Sequence, residues 1–149
     1  MTTTHTRTGR APVQTVALLV GAVFLLVGIL GFIPGLTTNY GALMFGGHHS
    51  EAMLLGLFQV SILHNIVHLL FGVAGIALSR SDAGAKNFLV GGGVIYLVLW
   101  LYGLFIGQES AANFVPLNTA DNWLHFVLGV GMLALGLLLG RRVATRRTV

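Results

Sequence analysis

The chain has 149 residues, of which 55% are hydrophobic and only 8% are charged. A soluble domain usually carries about 25% charged residues, so this composition excludes an ordinary soluble enzyme, a disordered chain and a coiled coil. The formal net charge of +4 comes from basic residues that flank apolar segments and form no basic face with interleaved aromatic residues. We therefore expect no nucleic-acid binding.

Four apolar stretches are predicted to be transmembrane helices, because about 20 apolar residues cross a hydrocarbon core about 30 Å thick. The predicted spans are residues 13–33, 57–78, 88–106 and 122–140, between an N-terminal arm (1–12) and a basic tail (141–149). The first apolar run is longer than the h-region of a signal peptide, so we expect it to be retained. The predicted fold is an all-α bundle of four transmembrane helices in one domain (13–140).

The basic residues predict how the chain crosses the membrane. All eight Lys and Arg lie in the N-terminal arm, the 79–87 loop or the tail, whereas the loops 34–52 and 107–122 contain none. Under the positive-inside rule this distribution predicts that both termini are cytoplasmic. The predicted location is the inner (plasma) membrane, with the lipid bilayer as the main partner and a homo-oligomer or a larger membrane complex as further possibilities.

The second and fourth spans resemble each other without gaps, which predicts a two-fold repeat of a two-helix unit. Residues 67–73 (VHLLFGV) align with residues 124–130 (LHFVLGV), and His64-Asn65 aligns with Asp121-Asn122. The first and third spans are related more loosely, through residues 21–24 and 93–96. Each unit would start on the same side of the membrane, as in a parallel repeat.

Small residues recur at helical spacing along the predicted spans. Such residues allow helix backbones to approach closely in a membrane, so we expect tight packing within the bundle, with a dimer seam at Gly103 and Gly107 as the alternative. The candidate packing residues are Gly21, Gly28, Gly72, Gly75, Gly103, Gly107, Gly129 and Gly136.

The candidate functional residues are polar side chains within the spans. His64 and His68 are four residues apart, as are Asp121 and His125, so each pair lies on one helix face. Three interpretations stay open: hydrogen bonds between helices, a transition-metal site or a b-type haem with axial histidines, and a path for protons or small solutes. The supporting polar residues are Ser61, Asn65 and Asn122.

No catalytic motif is present in the sequence, and the absence of cysteine excludes disulfides and Cys-ligated metals. We therefore expect a structural or accessory membrane protein rather than an enzyme. His48 and His49 in the outer loop predict either a flexible polar segment or a contribution to a metal site at the outer mouth.

Two blocks carry a family resemblance. Residues 63–72 read LHNxxHxxxG and residues 118–129 read NxxDNxLHxxLG. On these blocks the chain resembles the domain-of-unknown-function 4383 family, small four-span membrane proteins frequent in actinobacteria, over about residues 10 to 142. The resemblance implies the four-span architecture, and it implies no activity, substrate or cofactor.

Overall fold

The computed structural model describes residues 9–146, with side chains described as far as Arg141. Its four helices are α1 (Pro12–Leu30), α2 (Ile62–Leu78), α3 (Asp82–Phe105) and α4 (Thr119–Arg146). Between α1 and α2 lie a 3₁₀ turn (Tyr40–Ala42) and three short strands, β1 (Thr37–Thr38), β2 (Met53–Leu54) and β3 (Phe58–Gln59). Residues 1–8 and 147–149, which include parts of the predicted arm and tail, lie outside the described residues.

Each of the helices α2, α3 and α4 begins where a side-chain oxygen accepts a hydrogen bond from a backbone N–H three residues later. The oxygens belong to Ser61 (3.1 Å to N of His64), Ser81 (3.0 Å to N of Gly84) and Asn118 (3.0 Å to N of Asp121). Such caps satisfy N–H groups that have no partner within the helix. Helix α1 instead starts with Pro12, which has no N–H to satisfy.

The helices pack mainly as two hairpins, α1 with α2 and α3 with α4. The two hairpins meet through a core of aromatic rings, in which Phe24, Phe71 and Tyr96 have centroids 5.4 to 5.8 Å apart. The outward faces carry many large apolar side chains, for example Leu70 at 64% and Val127 at 63% exposure. This inside-out distribution is the one expected when lipid surrounds the helices.

Three helices are long and apolar enough to cross a membrane: Pro12–Leu30, Asp82–Phe105 and the portion Thr119–Arg141 of α4. Helix α2 is equally apolar but has 17 residues, which is the lower end of the range for a spanning helix. It begins five residues after the start of the predicted span 57–78, because Phe58–Gln59 is extended and Ser61 caps the helix. Helix α3 begins before the predicted span 88–106, at Asp82, because Ser81 caps it there.

The prediction of an all-α fold is confirmed only in part, because the segment between α1 and α2 contains a small sheet. Its order is β1-β2-β3 and both pairs are antiparallel, with Thr37 opposite Leu54 and Leu54 opposite Phe58. Ala52, Leu54 and Val60 form a small apolar core beneath it, packed on the C-terminal end of α1. The sheet therefore covers one end of the bundle.

Candidate functional site

Three of the predicted site residues lie together near the sheet-covered end of the bundle. His64 and His68 are one turn apart on α2, with ring centroids 4.4 Å apart. His125 on α4 lies within electrostatic range of both rings. All three are at least nine-tenths buried. We call these three residues the histidine cluster.

Aromatic rings support the histidine cluster from the side of the inner core. The ring of Phe24 lies 5.5 Å from that of His68, and the ring of Tyr96 lies 5.1 Å from that of His125. Phe24 and Tyr96 are themselves stacked, with centroids 5.4 Å apart. The imidazoles of His68 and His125 therefore rest on rings supplied by α1 and α3.

Two cavities adjoin the histidine cluster, and both are lined by all three of its residues. The loop cavity, about 140 Å³, lies between α2, α3, α4 and residues 112–117. The sheet cavity, about 100 Å³, lies on the side of β2 and β3. A third space of about 300 Å³, which we call the interhelix groove, lies between α1 and α4 and reaches His68.

The imidazole nitrogens differ in their hydrogen bonds. Nδ1 of His68 lies 3.0 Å from the carbonyl oxygen of His64. The backbone carbonyls of Gln59 and Pro116 face the His64 ring. Even so, the Nδ1 atoms of His64 and His125 are buried without a well-formed hydrogen bond to any described residue. Buried polar atoms are usually satisfied, so these two nitrogens are the unusual feature of the site.

Asp121 lines the sheet cavity, and its carboxylate also holds together the loops at the sheet-covered end of the bundle. Oδ2 accepts hydrogen bonds from the backbone N–H groups of Gln59 and Asn118, each 2.9 Å long. The side chain of Asn118 donates to the carbonyl of Leu57 at 2.8 Å. The start of α4 is thus attached to β3 and the preceding turn, and Asp121 acts as part of a cap. The spacing of Asn118 and Asp121 is a helix-start pattern, a signal that could have been interpreted in this way from the sequence.

The supporting polar residues lie at helix starts and helix crossings. Ser61 caps α2. The side chain of Asn65 packs directly against Gly31, and that of Asn122 packs directly against Gly103. A Cβ atom at either glycine would collide with the amide, so each glycine makes room for a buried asparagine.

The other candidate packing glycines are found at helix contacts, with one exception. Added Cβ atoms would lie under 3.0 Å from a neighbouring atom at Gly21, Gly28, Gly72, Gly75, Gly129 and Gly136. Gly107 lies beyond the end of α3, and a Cβ there would meet only Ser110, at 3.8 Å. A Cβ at Gly103 would collide with Asn122 of the same chain, and the dimer seam at Gly103 and Gly107 stays a prediction.

The described residues contain no group of three or more His, Cys, Asp or Glu side chains that could hold a metal ion. In this arrangement His64, His68, His125 and Asp121 are not grouped as metal ligands, and the metal or haem interpretation stays a prediction. The rings of His48 and His49 contact each other at a tilt of 40°, with centroids 3.9 Å apart, and they line none of the three cavities described above. The carbonyl of His48 accepts a hydrogen bond from Gln59, so this pair is part of the loop scaffold.

Apolar helices of spanning length, lipid-type outer faces and a buried polar cluster define the chain as a helical membrane protein. The comparison with known families makes this assignment more specific. The chain belongs to the family described as Domain of unknown function (DUF4383), whose family model matches residues 14–138 and so covers most of the sequence. No curated protein and no solved structure matches the chain.

Proposed function

We propose that this protein is a four-span accessory protein of the plasma membrane, with both termini in the cytoplasm and without catalytic activity of its own. The observation that carries the accessory role is the position of Asp121. This acidic side chain at the start of α4 accepts hydrogen bonds from two backbone N–H groups through Oδ2, so its contacts in this structure are those of a residue that holds the loops together.

The distribution of charge supports the proposed topology. Arg80 and Lys86 flank the connection between α2 and α3, whereas Glu51 and Glu109 lie in the connections at the opposite end of the bundle. The positive-inside rule assigns the end with Arg80 to the cytoplasm. At about 1.5 Å per residue the 17 residues of α2 cover about 26 Å, and the β3–α2 connection supplies the remaining thickness.

The two hairpins are proposed to be copies of one two-helix unit. Equivalent residues of α1 and α3 are 72 positions apart and those of α2 and α4 are 57 apart, as for Gly21 and Gly93 or Gly72 and Gly129. Contacts recur at these offsets: a Cβ at Gly21 would lie 2.8 Å from N of Ile76, and one at Gly93 would lie 2.7 Å from N of Leu133. The Gly31–Asn65 and Gly103–Asn122 contacts obey the same offsets.

The topology is tested with single cysteines, because the chain has none of its own. Glu51→Cys and Glu109→Cys are at the proposed outer end, and Ala83→Cys is at the proposed inner end. A membrane-impermeant maleimide applied to intact cells should label the first two, and it should label Ala83→Cys only after the cells are opened. Labelling of Ala83→Cys in intact cells would overturn the proposed topology.

The accessory role is tested by purification from the native membrane in mild detergent. We expect a homo-oligomer or a stable complex with a second membrane protein, separated by size and identified by mass spectrometry. Any activity of the purified complex is then compared between the wild type and Asp121→Asn. The accessory role predicts that this activity does not depend on the carboxylate. A lone monomer with a measured turnover would overturn the proposal.

A further inference from the structure

The three spaces around the histidine cluster are neighbours that share lining residues. The loop cavity and the sheet cavity share all three histidines. The sheet cavity shares Val27, Leu124 and Leu128 with the interhelix groove, which also reaches His68. The groove opens between Leu19 and Val23, whose side chains are more than half exposed. The histidine cluster therefore lies next to a groove that faces the surrounding lipid and reaches His68.

The lining of the loop cavity indicates the shape of its ligand. Six of its residues carry aromatic rings: His64, His68, Tyr96, Tyr102, Phe114 and His125. Aromatic walls favour a flat ring in stacked or edge-to-face contact. With about 140 Å³, the loop cavity is smaller than the about 300–1,000 Å³ of a drug-sized pocket. It fits one compact ring and not a macrocycle such as haem.

The electrostatics of the site indicate a neutral ligand that accepts hydrogen bonds. No residue that lines the loop cavity is Asp, Glu, Lys or Arg, so a charged head would be buried without a counter-ion, at high cost. The imidazoles of His64 and His125 both line the loop cavity. A neutral imidazole has one N–H donor, and carbonyl oxygens on the ligand would accept from two such donors.

We propose that the histidine cluster binds the head of a quinone-class lipid, with its carbonyl oxygens on His64 and His125 and its tail in the interhelix groove. A quinone is flat, neutral and lipid-soluble, and it carries carbonyl acceptors on opposite sides of a single ring. The apolar groove of about 300 Å³ accommodates the first part of an apolar tail, and the rest of the tail extends into the bilayer. The proposed quinone site goes beyond the proposed accessory role and does not depend on that role.

The test uses the purified full-length protein in detergent and decylubiquinone as the probe, with binding followed by titration calorimetry. We expect saturable binding at one molecule per chain. His125→Leu removes one donor and should weaken binding about tenfold or more, which corresponds to one hydrogen bond. His49→Leu is the matched control, because His49 is exposed and lines none of the described cavities, and it should bind as the wild type does.

A second variant keeps the test informative if His125→Leu fails to fold. Ala112 is exposed at the rim of the loop cavity, so Ala112→Trp can fill the cavity without disturbing the helix core, and it should also weaken binding. Decanol, which has the tail without the quinone head, should not compete. The proposal is overturned if the wild type shows no saturable binding, if both variants bind like the wild type, or if decanol competes equally with the quinone.

Discussion

The two hairpins of the bundle are alike in their helices and unlike in their loops. In both, a glycine on the first helix faces the backbone of the second, and a ring on the first helix contacts a histidine on the second: Phe24 with His68, and Tyr96 with His125. The α1–α2 connection, however, contains a three-stranded sheet, whereas the α3–α4 connection consists of turns. Helix contacts are constrained by close packing, and loops are not.

The position equivalent to His64 in the second hairpin is Asp121, and this difference shapes the site. Both residues lie three positions after the cap of their helix, Ser61 or Asn118. The carboxylate accepts two backbone N–H groups and closes the loops, whereas the imidazole lines the cavities. If the two hairpins are copies of one unit, as proposed above, matching positions carry different polar groups, and the predictions below test which features the hairpins share.

The largest effect is expected at the helix crossings. A Cβ at Gly72 would lie 2.6 Å from N of Leu25, and one at Gly129 would lie 3.0 Å from N of Leu97. Gly72→Ala and Gly129→Ala should therefore each reduce the free energy of unfolding by about 3 kcal/mol, the upper end of overpacking costs. The measurement is an SDS titration in mixed micelles followed by circular dichroism.

Gly91→Ala is the matched control for the crossings. An added Cβ at Gly91 would meet nothing within 4 Å, and alanine favours a helix over glycine by about 0.5–1 kcal/mol. This variant should be as stable as the wild type or slightly more stable. If Gly72→Ala is costly and Gly129→Ala is not, the two hairpins do not share the same packing and the repeat is contradicted.

The second-largest loss of stability is expected when Asp121 is replaced, and it should exceed the loss at His64, the residue at the matching position of the first hairpin. Asp121→Ala leaves the backbone N–H groups of Gln59 and Asn118 without their acceptor, which should cost about 2 kcal/mol. His64→Ala removes a side chain whose Nδ1 has no well-formed partner, and it should lose less. Thermal unfolding in detergent compares the two variants. An equal loss would show that Asp121 does not hold the loops together as proposed.

The caps of α2 and α4 should give a smaller effect. Ser61→Ala removes one capping hydrogen bond and should cost about 1 kcal/mol. Asn118→Ala removes a cap and also the hydrogen bond to the Leu57 carbonyl, so it should cost more than Ser61→Ala in the same unfolding assay. A larger loss for Ser61→Ala would mean that the link between α4 and the sheet contributes nothing to stability.

Much of the helical architecture could be predicted from the sequence, and the reasons are physical. Uninterrupted apolar runs specify spans, and the four-residue spacing of His64 and His68 specifies a shared face. The sheet could not be predicted, because two-residue strands have no periodicity to detect and the turn between β2 and β3 places Leu55 at a positive φ of 55°. The spacing of Asn118 and Asp121 could have predicted the capping role of Asp121, whereas its hydrogen bond with Gln59 joins residues distant in sequence and could not be predicted.

The smallest effect concerns the two buried asparagines. Nδ2 of Asn65 and Oδ1 of Asn122 are buried without a partner among the described residues, and each amide packs against a glycine, Gly31 or Gly103. Replacing an unsatisfied polar side chain by an apolar one of similar shape is nearly neutral. Asn65→Leu and Asn122→Leu should thus each change the free energy of unfolding by less than about 1 kcal/mol. A loss of several kcal/mol in either variant would mean that its amide makes a stabilising hydrogen bond across the helix crossing.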